Sequence, residues 1–139
     1  MKIKEYLQQY KADNKYTFGN FIHMFRVEKG YSIREFAIKL DISFVYLSDI
    51  EKGARPAPLK HLDKFIDVLN IEDEEVDDFM DLVYLSHQNW PELTDFLTTK
   101  PRAREFLRKA NELNLSDNVF LELIEALDKD NENDITIDL

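Results

Sequence analysis

Apolar side chains recur every three or four positions along almost the whole chain, and polar side chains fill the positions between them. This spacing places the apolar side chains of a segment on one face of an α-helix, whereas a half-buried strand would show an apolar residue at every second position. The sequence contains no alternating stretch of comparable length. The pattern therefore predicts an all-α protein.

Five short helices are predicted before residue 70, and most have a recognisable start or stop. Thr17, Ser32 and Ser43 stand where a side chain can cap the first turn of a helix. Gly30 and Gly53 stand where a helix is expected to end, and the Pro-containing segment 54–58 predicts a loop. The apolar faces of the five helices are, in chain order, Ile3, Tyr6, Leu7 and Tyr10; Phe18, Ile22 and Phe25; Ile33, Phe36, Ala37 and Leu40; Leu47 and Ile50; and Leu59, Leu62, Phe65, Ile66 and Leu69.

The second half of the chain continues the same spacing. It predicts a helix from Asp73 to about residue 84, whose first turn carries three acidic residues that complement the helix dipole, and one or two helical turns over residues 92–98. A longer helix is expected from Pro101 to Asn114, and Ser116 caps a last one. The final residues, from about 128 onward, are polar and acidic, and we expect them to be loose.

Charge is distributed unevenly along the chain, whose formal net charge is -10. Residues 1–60 contain 11 Lys or Arg against 7 Asp or Glu, which gives +4. Residues 61–139 contain 7 against 21, which gives -14. The asymmetry predicts that one face of the protein meets a polyanion while the rest of the surface repels it.

Several classes of function find no support in the residues. The chain has no cysteine, its three histidines (His23, His61 and His87) are scattered, and its three glycines fall near predicted helix ends. Thiolate and zinc chemistry and a phosphate-cradling loop therefore lack their ligands, and we predict no catalysis, no metal and no cofactor. The longest apolar runs are four residues long, so we expect no membrane association, and a start without a signal-peptide pattern predicts a cytoplasmic protein.

The two helices between Ser32 and Gly53 are separated by the three-residue interval 41–43, which is the spacing of a helix-turn-helix. The residues add to that signal, because TFGNFIHMFRVEKGYSIREFAIKLDISFVYLSDIEKGARPAP resembles the N-terminal domain of the Xre family, the lambda-repressor-like transcriptional regulators. The positions that carry the resemblance are Phe18, Gly19, Ile22, Phe25, Arg26, Lys29 and Gly30 in the first helix; Ser32, Arg34, Glu35 and Ala37 in the second; and Ser43, Tyr46, Leu47, Ser48, Ile50, Glu51, Gly53 and Arg55 in the recognition helix.

The resemblance implies a five-helix lambda-repressor-like domain that binds double-stranded DNA, with Phe44, Val45, Ser48 and Asp49 facing the groove. That set is poor in hydrogen-bond donors. Direct readout would then rely on thymine methyl groups for Phe44 and Val45 and on the cytosine N4 amino group for Asp49. The alternatives stay open here: Phe44 and Val45 could be core residues, and Asp49 could be a solvated carboxylate.

The resemblance also implies contacts to the DNA backbone and a structural ion pair. Arg26 and Glu51 correspond to the family's pair between the first and third helices. Ile33 stands where many members carry a Gln that bonds a phosphate, so that contact is lost or moved to a neighbour. Asp41 replaces the usual Gly of the turn, which is tolerable because Asp accepts left-handed geometry. The expected phosphate contacts are Ser32, Arg34, Lys39, Ser43, Tyr46, Lys52, Arg55 and Lys60.

The segment PELTDFLTTKPRAREFLRKANELNLSDNVFLELIEALDK resembles the C-terminal extension of many Xre-type regulators. It carries many large apolar side chains for its length, which would serve a dimer interface, a groove for a partner or an intramolecular core. We therefore expect four regions: an N-terminal helical extension (1–16), the helix-turn-helix domain (17–70), a helical C-terminal module (71–128) and an acidic tail (129–139).

Two functions fit these features. The first is a transcriptional repressor that acts as a homodimer on a palindromic operator. The alternative is an antitoxin or partner-binding subunit of an operon-encoded protein pair.

We also predict that the N-terminal helix docks on the helix from Phe18, because Phe21, Met24 and Val27 form an extra apolar stripe there that needs a cover.

Overall fold

The structure is a computed structural model that describes residues 3–8 and 17–132. Every regular element within those two ranges is helical, so the all-α prediction is confirmed. The α-helices are α1 (Ile3–Gln8), α2 (Phe18–Glu28), α3 (Ile33–Leu40), α4 (Phe44–Glu51), α5 (Leu62–Val68), α6 (Val76–His87), α7 (Pro91–Thr99), α8 (Pro101–Glu112) and α9 (Asp117–Glu132), with short 3₁₀ helices at Leu59–His61 and Asp73–Glu75.

Local capping explains where the helices of the first half begin and end. The hydroxyl oxygens of Thr17, Ser32 and Ser43 each accept the backbone N–H of the residue three positions later, at 3.1 Å. Gly30 and Gly53 follow α2 and α4 with φ of 73° and 77°, a left-handed conformation that costs glycine little. The caps and the glycines thus limit α2, α3 and α4 to 11, 8 and 8 residues.

The chain divides into two compact units, one ending at Trp90 and one beginning at Pro91. In the first unit the ring of Phe18 lies 5.9 Å from that of Phe65 and 6.0 Å from that of Phe79, measured between centroids. Phe79 belongs to α6 and is fully buried, so α6 is the fifth helix around this core when α2 is counted as the first. The division therefore falls later than the boundary expected after residue 70, because α6 contributes to the core of the first unit.

The N-terminal helix α1 packs against the first unit. Tyr6 is 1% exposed, its ring meets the ring of Phe21 edge-on with centroids 5.3 Å apart, and its hydroxyl donates to the carbonyl oxygen of Thr17 at 2.9 Å. The predicted docking is thus seen at Phe21. Met24 and Val27 were expected to be covered as well, but they are 44% and 56% exposed. Tyr10 lies outside the described residues.

A glycine lets α2 and α4 approach each other closely. A Cβ atom at Gly19 would overlap the carbonyl oxygen of Ile50, and it would lie 3.1 Å from the carbonyl oxygen of Glu51. Only a residue without a side chain fits at this crossing, which fixes the position of α4 in the unit.

The second unit contains α7, α8 and α9. Arg104 of α8 donates to the carbonyl oxygens of Leu97 and Thr98 at 2.6 and 2.9 Å, and so caps the C-terminal end of α7. Among its described residues, Ala110 is the one buried hydrophobic side chain. Helix α9 continues to Glu132, so the first residues of the expected loose tail are helical, and residues 133–139 lie outside the described part. Large apolar side chains exposed on this unit are Leu93, Phe96, Phe106, Leu107, Leu113, Leu121, Leu123, Ile124 and Leu127.

Candidate nucleic-acid interface

Helices α3 and α4 form the predicted helix-turn-helix. Asp41 makes the turn between them with φ of 57° and ψ of 42°, the left-handed conformation expected at a position where glycine is usual. Leu47 and Ile50 of α4 are 0% and 1% exposed, so one side of this helix is fixed against the core. The opposite side of α4 is free to meet a ligand.

That opposite side carries the residues expected to read bases. Phe44 and Val45 are 39% and 57% exposed, so neither belongs to the core. Ser48 and Asp49 follow four positions later and lie on the same side of the helix, since residues at i and i+4 share a face. The four side chains therefore form one surface, which we call the α4 face.

Arg34 joins this surface from α3. Its guanidinium carbon lies 4.0 Å from the centroid of the Phe44 ring, within the range of a cation–π contact. The contact places a positive charge beside an apolar side chain at the N-terminal end of α4.

Asp49 and Arg55 form a second pair at the other end of the α4 face. An Asp49 carboxylate oxygen lies 3.7 Å from Nε of Arg55, whose guanidinium lies 5.2 Å from the centroid of the Tyr46 ring. The backbone supports the pair, because the Asp49 carbonyl oxygen accepts the N–H groups of Ala54 and Arg55 at 2.8 and 3.2 Å. Asp49 is thus neither isolated nor simply solvated: it holds Arg55 against α4.

The loop that carries Arg55 is also fixed from α6. The hydroxyl oxygen of Ser86 accepts the N–H of Ala57 at 3.0 Å, and Nε2 of His87 donates to the carbonyl oxygen of the same residue at 2.7 Å. Sequence reasoning assigned no role to Ser86 and placed His87 only among scattered histidines. No local signal identifies either residue, because about thirty positions separate each from its partner.

The expected phosphate contacts do not all lie together. Ser32 and Ser43 use their oxygens as helix caps, and each hydroxyl hydrogen stays available to a phosphate. Lys52 and Lys60 are exposed. Lys39 lies over the ring of Tyr31, with Nζ 5.0 Å from the centroid. It is five positions after Arg34, about 140° away around α3, so these two cations point to different sides.

Arg26, Glu51 and His23 form the most buried polar cluster near the α4 face. Nε of Arg26 lies 3.0 Å from both carboxylate oxygens of Glu51, and Nη1 donates to the carbonyl oxygen of Tyr31 at 3.0 Å. The side chains of Arg26 and Glu51 are 17% and 6% exposed. The expected pair is joined by a third member that was not predicted, since Nδ1 of His23 lies 2.6 Å from Glu51 Oε1.

Two other kinds of site are absent from the residues that the structure describes. Among residues 3–8 and 17–132, no group of three or more His, Cys, Asp or Glu side chains is placed to hold a metal ion. In the same ranges no helix is long and apolar enough to cross a membrane.

Comparison with known proteins agrees with this geometry. A helix-turn-helix family model matches residues 22–76. The HTH-type transcriptional regulator SlrR of Bacillus subtilis (strain 168) is 36% identical over 67 residues, which are 48% of this chain and 44% of that protein. The chain thus spans less than half the length of this relative. A chain of a SinR protein/SinI protein complex is 25% identical over 84% of this chain and 99% of its own, with a TM-score of 0.38, too low to define a shared arrangement.

The matched residues 22–76 include all of α3, α4 and α5, which hold the turn and the α4 face. Residues 22–76 therefore carry a helix-turn-helix domain, and α3 and α4 are its two helices.

Proposed function

We propose that this protein is a sequence-specific DNA-binding repressor that acts as a homodimer on a palindromic operator. The observation that carries the proposal is the exposure of Phe44 and Val45 on a helix whose opposite side is buried. Large apolar side chains on such a surface call for a ligand, and α4 is the helix that a helix-turn-helix inserts into the major groove. The proposal includes a cytoplasmic location and neither catalysis nor a cofactor.

In this proposal α4 reads bases mainly by shape and apolar contact. Phe44 and Val45 meet thymine methyl groups, and the Asp49 carboxylate accepts from the N4 amino group of cytosine. Arg34, stacked on Phe44, reaches a phosphate next to the base that Phe44 contacts. Ser48 lies beside these residues on the face that meets the bases. The remaining phosphate contacts orient the domain without reading sequence, and we assign them to Ser32, Lys39, Ser43, Tyr46, Lys52, Arg55 and Lys60.

The second unit supports dimer formation. Phe106 of α8 and a row of α9 side chains that includes Phe120, Leu123, Ile124 and Leu127 line an apolar groove of about 440 Å³. A two-fold axis would bring this groove against the same groove of a second copy, and two recognition helices would then meet two half-sites. We call this surface the α8–α9 groove.

A second candidate function uses the same groove for another protein. Residues 61–139 carry a charge of -14, so a basic partner with an apolar helix would complement them. In that case the chain is the antitoxin or partner-binding subunit of an operon-encoded pair. Co-purification of a second protein in stoichiometric amount distinguishes this function from homodimer formation.

The first prediction tests the readout of sequence. A duplex selected from a random pool serves as the operator, and its affinity is measured for Phe44→Ala and Val45→Ala. We expect each substitution to weaken binding by about 1–3 kcal/mol and to relax the preference at thymine positions, because each removes an apolar contact to a base edge. Since both side chains are exposed, the helix content measured by circular dichroism should not change.

Lys52→Ala is the matched control for this experiment, because Lys52 is exposed and lies at the end of the same helix. It should weaken all sequences alike and reduce the slope of log affinity against log salt by about 1. If Phe44→Ala weakens binding to all sequences alike, as expected for Lys52→Ala, the α4 face does not read bases. If no duplex is selected at all, the protein is not a sequence-specific binder and the second candidate function is favoured.

A further inference from the structure

A recess with several polar side chains in its wall lies beside the α4 face, between α2, the start of α3 and the end of α4. Its volume is about 280 Å³. Ser48 belongs to both the recess and the α4 face. The side chain of Ile33 has no hydrogen-bond donor, so the side-chain donors of the recess come from α2 and α4. We call it the α2–α4 recess, and it is lined by Asn20, His23, Arg26, Ile33, Ser48, Glu51 and Lys52.

His23 is held in this recess in one orientation. Its Nδ1 lies 2.6 Å from Glu51 Oε1, and an ionised carboxylate can only accept, so Nδ1 carries a proton. Arg26 Nη2 is 3.3 Å from the same nitrogen, but an N–H cannot accept from it. Nε2 is therefore the ring nitrogen left to meet a ligand, and the His23 side chain is 47% exposed to solvent.

The charges around His23 favour an anion. The charged groups that line the recess are Arg26, which lies on α2 like His23, and Glu51 and Lys52 at the C-terminal end of α4. Helix α3 contributes the uncharged Ile33. Arg26 and Glu51 neutralise each other at 3.0 Å. Lys52 leaves the recess with one positive charge, and the imidazolium form of His23 adds a second.

We infer that the α2–α4 recess binds a backbone phosphate of DNA and that His23 donates to it from a protonated Nε2. The inference rests on the proposed function and adds a contact that its list of phosphate-binding residues lacks. With Nδ1 bound to Glu51, the neutral ring offers the phosphate only a lone pair at Nε2, whereas the imidazolium offers an N–H. A bound phosphate therefore selects the protonated ring, and DNA binding takes up a proton.

The sign of the pH dependence follows from this linkage. Histidine is the side chain whose charge ordinarily changes between about pH 5 and 8. Because the complex holds the extra proton, raising the pH through this interval should weaken DNA binding. The affinity lost is that of one charge-assisted hydrogen bond to a phosphate, so Kd should rise roughly three- to tenfold.

The experiment uses the full chain and a fluorescent duplex, titrated at constant salt from about pH 6 to pH 8. His23→Gln removes the titrating group, so its affinity should equal the weak, high-pH value of the unmodified chain at every pH. His23→Arg supplies a permanent cation, so its affinity should be tight and independent of pH. His61→Gln is the matched histidine control, and it should keep the pH dependence of the unmodified chain.

Two results would overturn the inference: pH dependence that survives in His23→Gln, or binding by His23→Arg that still weakens as the pH rises. If His23→Gln does not fold, as judged by its thermal unfolding curve, the Arg variant decides alone. The failure of the proposed function looks different, because the unmodified chain would then bind no duplex at any pH. Binding that is tight and unaffected by either substitution at His23 rejects this inference and leaves the proposed function intact.

Discussion

Two carboxylates on α4, Asp49 and Glu51, hold cationic side chains along the proposed DNA surface, and they do so with different strength. The side chains of Arg55 and Asp49 are 57% and 37% exposed and lie 3.7 Å apart, so their ion pair contributes at most about 1 kcal/mol. Arg55 can therefore leave Asp49 for a phosphate at small cost. Glu51 is 6% exposed, and removing one partner of a buried pair costs about 3–5 kcal/mol, so Arg26 stays where it is.

A single-residue prediction concerns the crossing of α2 and α4. Gly19→Ala places a methyl group on the carbonyl oxygen of Ile50, and two backbone segments have to move apart to admit it. We expect the free energy of unfolding to fall by about 1–3 kcal/mol or more. Displacement of α4 should also weaken DNA binding under conditions where the variant is folded. Chemical denaturation and a DNA titration measure the two effects.

Gly30→Ala is the control for that prediction. A Cβ at Gly30 meets nothing within 4 Å, so the substitution introduces only the strain of φ at 73°, about 1–2 kcal/mol. It should lower stability without changing DNA affinity. Equal effects of the two substitutions on DNA affinity would show that Gly19 is not required by the close approach of the helices.

At the scale of helices, an interaction could be predicted from the sequence when its residues are close together along the chain. Thr17 and Ser43 were identified as caps because a cap and its partner lie three positions apart, and the spacing of apolar residues is equally local. The expectation that Phe44 and Val45 face outward needed the resemblance to a family, since periodicity alone also allows a core role. The bond of Ser86 to Ala57 had no signal, because it depends on the fold bringing distant segments together.

Helix α1 yields the prediction at this scale. Tyr6→Ala removes a buried ring from its contact with Phe21, and such truncations cost about 3–5 kcal/mol when the surroundings do not collapse. Tyr6→Phe keeps the ring and removes the hydroxyl that donates to the Thr17 carbonyl oxygen, a hydrogen bond worth about 0.5–1.5 kcal/mol. Thermal unfolding should therefore rank the unmodified chain above the Phe variant and the Phe variant above the Ala variant.

Because α1 contributes no residue to the α4 face or to the α2–α4 recess, DNA affinity at low temperature should be unchanged in both Tyr6 variants. A Tyr6→Ala protein as stable as the unmodified chain would mean that α1 adds no stability to the first unit. A loss of DNA affinity in the Phe variant, with its stability nearly intact, would instead assign α1 a direct part in binding.

For the molecule as a whole, the two units differ in how much apolar surface they bury. The first unit has a core to which each of α1 to α6 contributes, whereas the described part of the second unit buries Ala110 and leaves nine large apolar side chains more than 40% exposed. Burying a Leu, Ile or Phe side chain contributes about 1.5–3 kcal/mol. Association through the α8–α9 groove would therefore stabilise the second unit as well as join two copies.

The last prediction tests that association. Ile124→Glu puts a charge at the centre of the α8–α9 groove, where a second copy would have to bury it, and we expect the variant to be monomeric. Asn118→Glu adds the same charge at an exposed position of α9 outside the residues that line the groove, and it should associate like the unmodified chain. Sedimentation equilibrium measures the mass of each protein.

DNA binding adds a second readout of the same variants. Loss of the dimer should weaken binding to a two-half-site duplex far more than to a single half-site, because only the dimer engages both recognition helices at once. An Ile124→Glu protein that keeps the mass of two chains would place the dimer contact elsewhere. An unmodified chain that is monomeric alone, and whose groove binds a co-purified protein that Ile124→Glu fails to retain, would establish the partner-binding function in place of the homodimer.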